Sequence, residues 1–255
     1  MQSCRAQVHK WGRKNRVIFD AAKEHLVIIH PILAHGDPFK LLGCLVDCKL
    51  QMHQAIDAIL AQIRPKMKAI LRTRGHYAVS DLINQFKTHI WGIMEIHNGA
   101  IFHAASSALD RIDHLQKHFL DELGITEMDA FLRYNFAPPV LRRNIGILGL
   151  LHKRVLGKAH PIFQRLLPFH RDVFGSLRPA EHDRQLYGHI LEVHRQYSLH
   201  DRSIFSMVYV YNRLPQEVVY EDSVAVFQSR LTAHARDRCQ NGVDKWHFTF
   251  DPRTR

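Results

Sequence analysis

The chain has 255 residues, 46% of them hydrophobic, which is enough to bury a full core in one or two domains. Its 35 lysines and arginines outnumber 24 acidic residues, and the formal net charge is +11. This composition excludes wholesale disorder and favours a partner that carries phosphates or another anionic surface. The alternative is a basic protein that binds nothing specific.

The cysteines and the apolar runs indicate a soluble intracellular protein, cytoplasmic or nuclear. The four cysteines are too scattered for a disulfide scaffold, and Cys44 and Cys48 lie beyond disulfide reach on a strand-like run. Residues 1–14 contain no apolar signal region, and the longest apolar run, Leu26–Ile29, is far too short to span a membrane. We therefore expect reduced thiols and no membrane partner.

The first 50 residues predict a small domain made of a helix and strands. Residues 3–16 are typical of a basic helix carrying Trp11. Two short apolar strands, Val17–Phe19 and Leu26–Ile29, precede a third, Phe39–Val46, which Gly43 interrupts.

From Met52 the apolar period changes to that of a helix, and residues 51–156 predict a helical domain. Pro65 interrupts the first helix and should kink it or begin a second one. Further helices are expected from about Ser80, up to Gly124 as a C′ glycine, over 126–136, and from Pro138 through Val155.

Residues 157–255 predict a third, looser region with amphipathic pieces at Ser203–Arg213 and Ser223–His234 and a frayed end. The fold class is α+β and mostly α-helical, with a small antiparallel strand unit followed by a helical bundle. His114 and His118 share a helix face at the spacing of a zinc pair, but no third ligand lies at a telling distance, so no metal site is predicted.

Several motifs occur in a fixed order along the chain. They are W-x-x-K-N with Phe19 and Lys23, F-K-L-L-G-C-L-V-D-C-K-L at Phe39–Leu50, L-D-R-I through L-G at Leu109–Gly124, P-P-V-L-R-R at Pro138–Arg143, R-S-I-F at Arg202–Phe205, Y-N-R-L-P-Q-E-V at Tyr211–Val218 and F-Q-S-R-L at Phe227–Leu231. In order and spacing this series resembles the end of the palm, the thumb and the downstream region of non-LTR (LINE-type) retrotransposon reverse transcriptases. The resemblance implies an RNA-directed DNA polymerase, a nucleotidyltransferase, with a thumb-like helical domain after the strands.

The chain departs from this family where the chemistry takes place. It contains no Y-x-D-D box, which in the family holds Mg²⁺ with an earlier aspartate. By register the box would precede residue 1, so we expect a fragment that lacks the upstream palm and fingers, holds no cofactor of its own and is inactive alone. Mg²⁺ is implied only for the intact family enzyme.

The resemblance and the charge pattern give the candidate site residues. Lys23 matches the lysine that approaches the leaving pyrophosphate and is a candidate general acid, although an exposed lysine is the favoured reading. Leu42, Gly43 and Cys44 match the primer grip, with a β-bulge in a core strand as the alternative. The candidate phosphate contacts are Arg64, Lys68, Arg72, Arg74, Arg142 and Arg143, with solvated helix faces as the alternative.

Three hypotheses follow from these observations. The first is a reverse-transcriptase fragment that binds an RNA or DNA primer–template through basic helix faces. The second is a basic helical nucleic-acid-binding module without polymerase ancestry. The third is a non-enzymatic interaction protein whose charge maintains solubility. The strand unit ahead of the helices favours the first, because the other two have no need of it.

Overall fold

A computed structural model of the chain describes residues 2–20, 24, 27–29, 33–171, 182–188 and 200–253. These residues are mostly helical, with one small antiparallel sheet near the amino terminus, so the predicted α+β, mostly α-helical class is confirmed. The chain divides into two compact units, Met1–Leu50 and Gln51–Arg255. In the part that the structure describes, no helix is long and apolar enough to cross a membrane.

The first unit begins with α1 (Gln2–Lys14), as the sequence predicts. Gly12 is buried under the ring of Phe19, and a Cβ added at Gly12 would lie 2.3 Å from that ring. The backbone amide of Val17 donates to the carbonyl of Gly12 at 2.8 Å. The predicted strand Val17–Phe19 is therefore wrong, because this segment closes the end of α1 instead of pairing with another strand.

The predicted strand Phe39–Val46 is a hairpin of two strands, β1 (Phe39–Leu41) and β2 (Cys44–Val46). Leu42 and Gly43 form its two-residue turn with φ of 48° and 87°. Positive φ at both positions is the geometry that matches the twist of a tight hairpin. Gly43 thus reverses the chain, and the expected bulge within one continuous strand is wrong.

Only part of the remaining predicted strand can be placed. Ile28 forms an isolated antiparallel bridge with His35, while Leu26 lies outside the described residues.

The second unit begins with α2 (His53–Arg72), a single helix of 20 residues. Its predicted apolar stripe is buried on both sides of Pro65, as at Ile63 and Met67. A restart of the helix at Pro65 does not occur. The carbonyl of Ala61, which loses its amide partner at the proline, lies on the exposed face where water can replace that donor.

The other helices of the second unit follow α2 in chain order. They are α3 (Val79–Phe86), a π-helical turn (Lys87–Trp91), α4 (Gly92–Glu95), α5 (Asn98–Ile101), α6 (Ser106–Glu122), α7 (Glu127–Tyr134), α8 (Pro139–Val155), α9 (Ile162–Leu166), α10 (Ile204–Tyr211), α11 (Gln216–Val219), α12 (Val224–Gln240) and a 3₁₀ turn (Trp246–Phe248). Gly124 has φ of 68° after α6, which confirms the predicted left-handed C′ glycine.

Two groups of buried side chains hold the second unit together. In the first, α2 packs against α3 and α6, and the rings of Phe86, Phe119 and Phe136 contact one another. In the second, α8 packs against α10 and α12, and Tyr211 and Phe227 are fully buried. The expected boundary between residues 156 and 157 falls inside this unit, because α8 shares its apolar cluster with helices that follow residue 200.

The end of the chain is packed as far as residue 253. Phe250 is 3% exposed, Pro252 is buried, and the Arg253 guanidinium donates to the carbonyl of Phe102. Burial lowers the pKa of Arg253 to about 10 and raises the pKa of the Asp251 carboxyl. The expected fraying is therefore wrong for residues 251–253, since a guanidinium held at this depth ties the segment to the core.

Candidate nucleic-acid interface

Three of the candidate cations form a row along one face of α2. Arg64, Lys68 and Arg72 are exposed, follow one another at intervals of four residues and line the same surface depression beside Pro65. At 1.5 Å of rise per residue the row is about 12 Å long. Among the described residues, no carboxylate forms an ion pair with any of the three. Their charges are therefore available to a partner.

The row continues into a groove between α2 and α6, which pack against each other. Arg64 and Lys68 lie on the α2 side, and His114 and His118 on the α6 side. The buried side chains of Met67 and Leu115 form its floor. We call these six residues together with Arg72 the basic groove.

The two histidines form the second wall of the groove. His114 Nδ1 lies 2.6 Å from the carbonyl of Asp110, so this nitrogen carries the hydrogen and Nε2 faces away from that bond. His114 and His118 are both exposed. Their i,i+4 spacing is visible in the sequence, but it does not show that they face Arg64 and Lys68 across a groove.

Other cations near the groove are neutralised by carboxylates of the same unit. Arg111 bonds to Asp57. Arg74, a candidate phosphate contact, lies 3.6 Å from Glu122 and donates to the carbonyl of Leu71 at 3.3 Å. Arg74 is therefore less available to a phosphate than the three residues of the α2 row.

The Arg142 side chain contacts other residues of the protein and is not free at the start of α8. Its guanidinium lies 3.5 Å from the centre of the Trp91 ring and bonds to Glu95. The same ring stacks on Phe136 at 5.1 Å and belongs to the π-helical turn. The extra residue of that turn helps to present Trp91 between Phe136 and Arg142.

Arg143 is buried in a forked ion pair. Its two terminal nitrogens donate to the two carboxylate oxygens of Asp113 at 2.9 and 2.8 Å, and the residue is 5% exposed. A phosphate cannot reach this guanidinium without displacing α6 from α8. The interpretation of Arg142 and Arg143 as an exposed pair at a helix start is wrong, because both reach carboxylates of other helices.

The candidate primer-grip residues lie in the first unit. Leu42 is 95% exposed at the tip of the hairpin beside Gly43. Cys44 is 5% exposed, and burial raises the pKa of its thiol, so this side chain is a core group. Lys23, the candidate general acid, lies outside the described residues.

The resemblance implies Mg²⁺ for the intact enzyme, so groups of possible metal ligands among the described residues are relevant. Within the described ranges, no group of three or more His, Cys, Asp or Glu residues could hold a metal ion. The carboxylates that lie closest to the candidate cations, Glu95 and Asp113, are bonded to Arg142 and Arg143.

The Y-N-R-L-P segment has a structural role that sequence reasoning missed. The Tyr211 hydroxyl donates to His152 Nδ1 at 3.0 Å, and His152 Nε2 donates to the carbonyl of Glu221 at 2.7 Å. His152 is fully buried and stacks on Phe227 with ring centres 4.0 Å apart. Burial lowers the pKa of His152 and raises the pKa of Tyr211, so both are neutral at pH 7.

Asn212 adds a second connection from this segment. Its side chain accepts from the Leu186 amide at 3.0 Å and donates to the Leu186 carbonyl at 2.8 Å. Through Tyr211 and Asn212 the motif thus joins α8, α10 and residues 182–188.

No family model, curated protein or solved structure matches this chain. The ordered motifs remain the basis of the resemblance to reverse transcriptases. The basic groove is the feature from which a function can be argued physically.

Proposed function

We propose that this chain binds the phosphate backbone of a primer–template duplex through the basic groove, as the thumb-like part of a LINE-type reverse transcriptase. The observation that carries the proposal is the row of Arg64, Lys68 and Arg72, which has no carboxylate partner among the described residues, together with the groove in which Arg64 and Lys68 face His114 and His118. Row and groove belong to α2 and α6, which follow the hairpin in the chain, and the resemblance leads us to expect a thumb-like domain after the strands.

The chemistry of the groove suits phosphates better than bases. A guanidinium can donate two parallel hydrogen bonds to one phosphate, and an ammonium adds a mobile point charge. Such contacts position a duplex without reading its sequence. The apolar floor of Met67 and Leu115 can contact sugar carbons but offers no polar group to a base edge.

The proposed activity is binding and not polymerisation. The printed sequence contains no two adjacent aspartates, and alignment of a primer hydroxyl with a triphosphate needs carboxylate-held Mg²⁺. The purified chain should therefore incorporate no nucleotide on a primed template with Mg²⁺. Measurable incorporation would contradict this part of the proposal.

The proposal is tested by the salt dependence of binding. Filter binding of the full chain to a 20-base-pair RNA–DNA duplex is measured between 50 and 200 mM salt. Each phosphate contact contributes about 0.9 to the slope of log K against log salt. The triple variant R64Q/K68Q/R72Q should therefore lose about 2.7 from that slope, together with most of its affinity at low salt.

A charge-matched control separates the groove from net charge. Lys66, Lys153 and Arg165 are exposed outside the basic groove, and no ion pair involves them among the described residues. The variant K66Q/K153Q/R165Q loses the same three charges and should keep a slope within about 0.9 of the original. Equal losses in the two triple variants, or no slope in the unmodified chain, would refute a phosphate-binding groove.

A further inference from the structure

A second exposed surface rich in cations lies on α1, in the unit that does not contain the basic groove. Cys4, Val8 and Trp11 follow one another at intervals of four and three residues and so share one face of the helix. All three are exposed, and the Trp11 side chain is 58% exposed. A solvent-exposed indole on a helix offers a large apolar surface that a ligand can contact.

A different face of α1 is occupied by its own unit. Glu24 Oε2 lies 2.8 Å from Arg5 Nε, and Glu24 Oε1 lies 2.8 Å from His9 Nε2. Gly12 lies against Phe19. The helix is therefore held through Arg5, His9 and Gly12, and this leaves the Trp11 face turned to solvent.

Three cations, Lys10, Arg13 and Lys14, lie close to Trp11 in the helix. Lys10 and Lys14 form an i,i+4 row, and Lys14 is also three residues after Trp11, so it adjoins the ring on the helix surface. Arg13 is exposed as well. Within the described part of the chain, none of these three cations forms an ion pair.

We infer that the Trp11 face of α1 binds single-stranded nucleic acid, with a base stacked on Trp11 and adjoining phosphates bonded to Lys10 and Lys14. A stacking ring beside a track of cations is the combination that sequence-independent single-strand sites use. The inference does not depend on the basic groove, which belongs to the other unit.

Other occupants fit the face less well. A second copy of α1 would bring four cations and no acidic residue against an identical set, so self-association through this face is opposed by charge. An anionic lipid surface would need a broad apolar face, whereas this stripe has one large side chain. In a single strand, a base can stack on the Trp11 ring while the adjoining phosphates bond to the lysines.

The test measures binding of fluorescein-labelled (dT)₁₂ to the full chain by anisotropy. Stacking of one base contributes about 1–3 kcal/mol, so W11A should weaken binding at least fivefold. W11F keeps an aromatic ring and should stay within about twofold of the original affinity, since Phe also stacks on bases. V8A removes a neighbouring apolar side chain that cannot stack, and it should bind as the original does.

Two further arms separate the alternatives. The variant K10Q/K14Q should lower the salt slope for (dT)₁₂ by about 1.4, because each contact to a single strand contributes about 0.7. The fold-loss of W11A should be the same in the R64Q/K68Q/R72Q background as in the original chain, whether or not the groove binds duplex. Unchanged (dT)₁₂ affinity in W11A would overturn the inference. So would equal losses in W11A and V8A accompanied by binding to phosphatidylserine vesicles.

Discussion

If Arg143 and Asp113 form a buried ion pair, breaking the pair should lower the stability of the protein and leave nucleic-acid binding unchanged. The Arg143 side chain is 6% exposed and that of Asp113 is 24% exposed. D113N keeps the shape of the partner and removes its charge, so the buried guanidinium loses the carboxylate to which it is bonded. R143M keeps the apolar stem of the arginine and leaves a carboxylate that water can reach.

The expected losses in the free energy of unfolding differ because Arg143 is more deeply buried than Asp113. Breaking a buried ion pair by removing one partner typically costs about 3–5 kcal/mol. Asp113 is partly hydrated and the Asp251 carboxylate also interacts with Arg143, so we expect D113N to lose about 2–3 kcal/mol. For a unit of this size that loss corresponds to a fall in melting temperature of roughly 4–12 °C. R143M should lose less, about 1–2 kcal/mol, because its orphaned partner can be solvated.

Thermal unfolding followed by circular dichroism measures these changes. The double variant D113N/R143M should be more stable than the sum of the two single losses predicts, by at least about 1 kcal/mol, because the pair is lost only once. Folded R143M should bind duplex with an unchanged salt slope. The opposite result, an unchanged melting temperature with a slope reduced by about 0.9, would show that Arg143 contacts phosphate and that the buried pair does not exist in solution.

Two further predictions concern the buried histidine and the packed glycine. Burial lowers the pKa of His152, so as the pH falls the unfolded chain takes up a proton on this histidine before the folded chain does. The free energy of unfolding should therefore decrease as the pH drops below about 6.5. In H152Q this pH dependence should be weaker, as measured by the urea midpoints at pH 5 and 7.5. G12A should raise the rate of amide hydrogen exchange in residues 2–20 but not in residues 53–72, because the added Cβ would clash with the Phe19 ring. The control G92A, where a Cβ meets nothing within 4 Å, should change neither region. Unchanged or slower exchange of residues 2–20 in G12A would contradict the packing described for α1.

The sequence predicts the helices well because their signals are local. The apolar stripe of α2, the C′ glycine at Gly124 and the proline start of α8 each depend on residues within about one or two turns. The row of Arg64, Lys68 and Arg72 could be read from spacing alone for the same reason. Their spacing also predicts that the three cations share one face of α2, and all three are exposed in the structure.

The errors arise where the deciding partner is distant in sequence. Arg142 and Arg143 look like a surface pair, but their carboxylate partners Glu95 and Asp113 lie 47 and 30 residues away. The two-stranded nature of the hairpin depends on positive φ at Leu42, which a leucine rarely adopts and which nothing in the sequence requires.

The same separation explains the Y-N-R-L-P segment. Its tyrosine bonds to a histidine 59 residues away and its asparagine to a backbone segment 26 residues away. A motif of this kind can persist because it connects the core, and such persistence says nothing about a ligand. The functional proposal therefore rests on the groove and not on this motif.

The distribution of charge connects the two proposed surfaces. The buried Arg143 and the half-buried Arg142 of the second unit have carboxylates of their own, and this pairing neutralises two charges that would be costly to leave unpaired at low dielectric. The surplus that gives the chain its charge of +11 must then lie where carboxylates are scarce. α1 has four cations and no acidic residue, and α2 has four cations and one aspartate, Asp57, which Arg111 already neutralises. Apart from Arg5, which pairs with Glu24, the cations of these two helices have no carboxylate partner among the described residues. A nucleic-acid strand supplies phosphates at regular intervals along a line, as these cations are arranged.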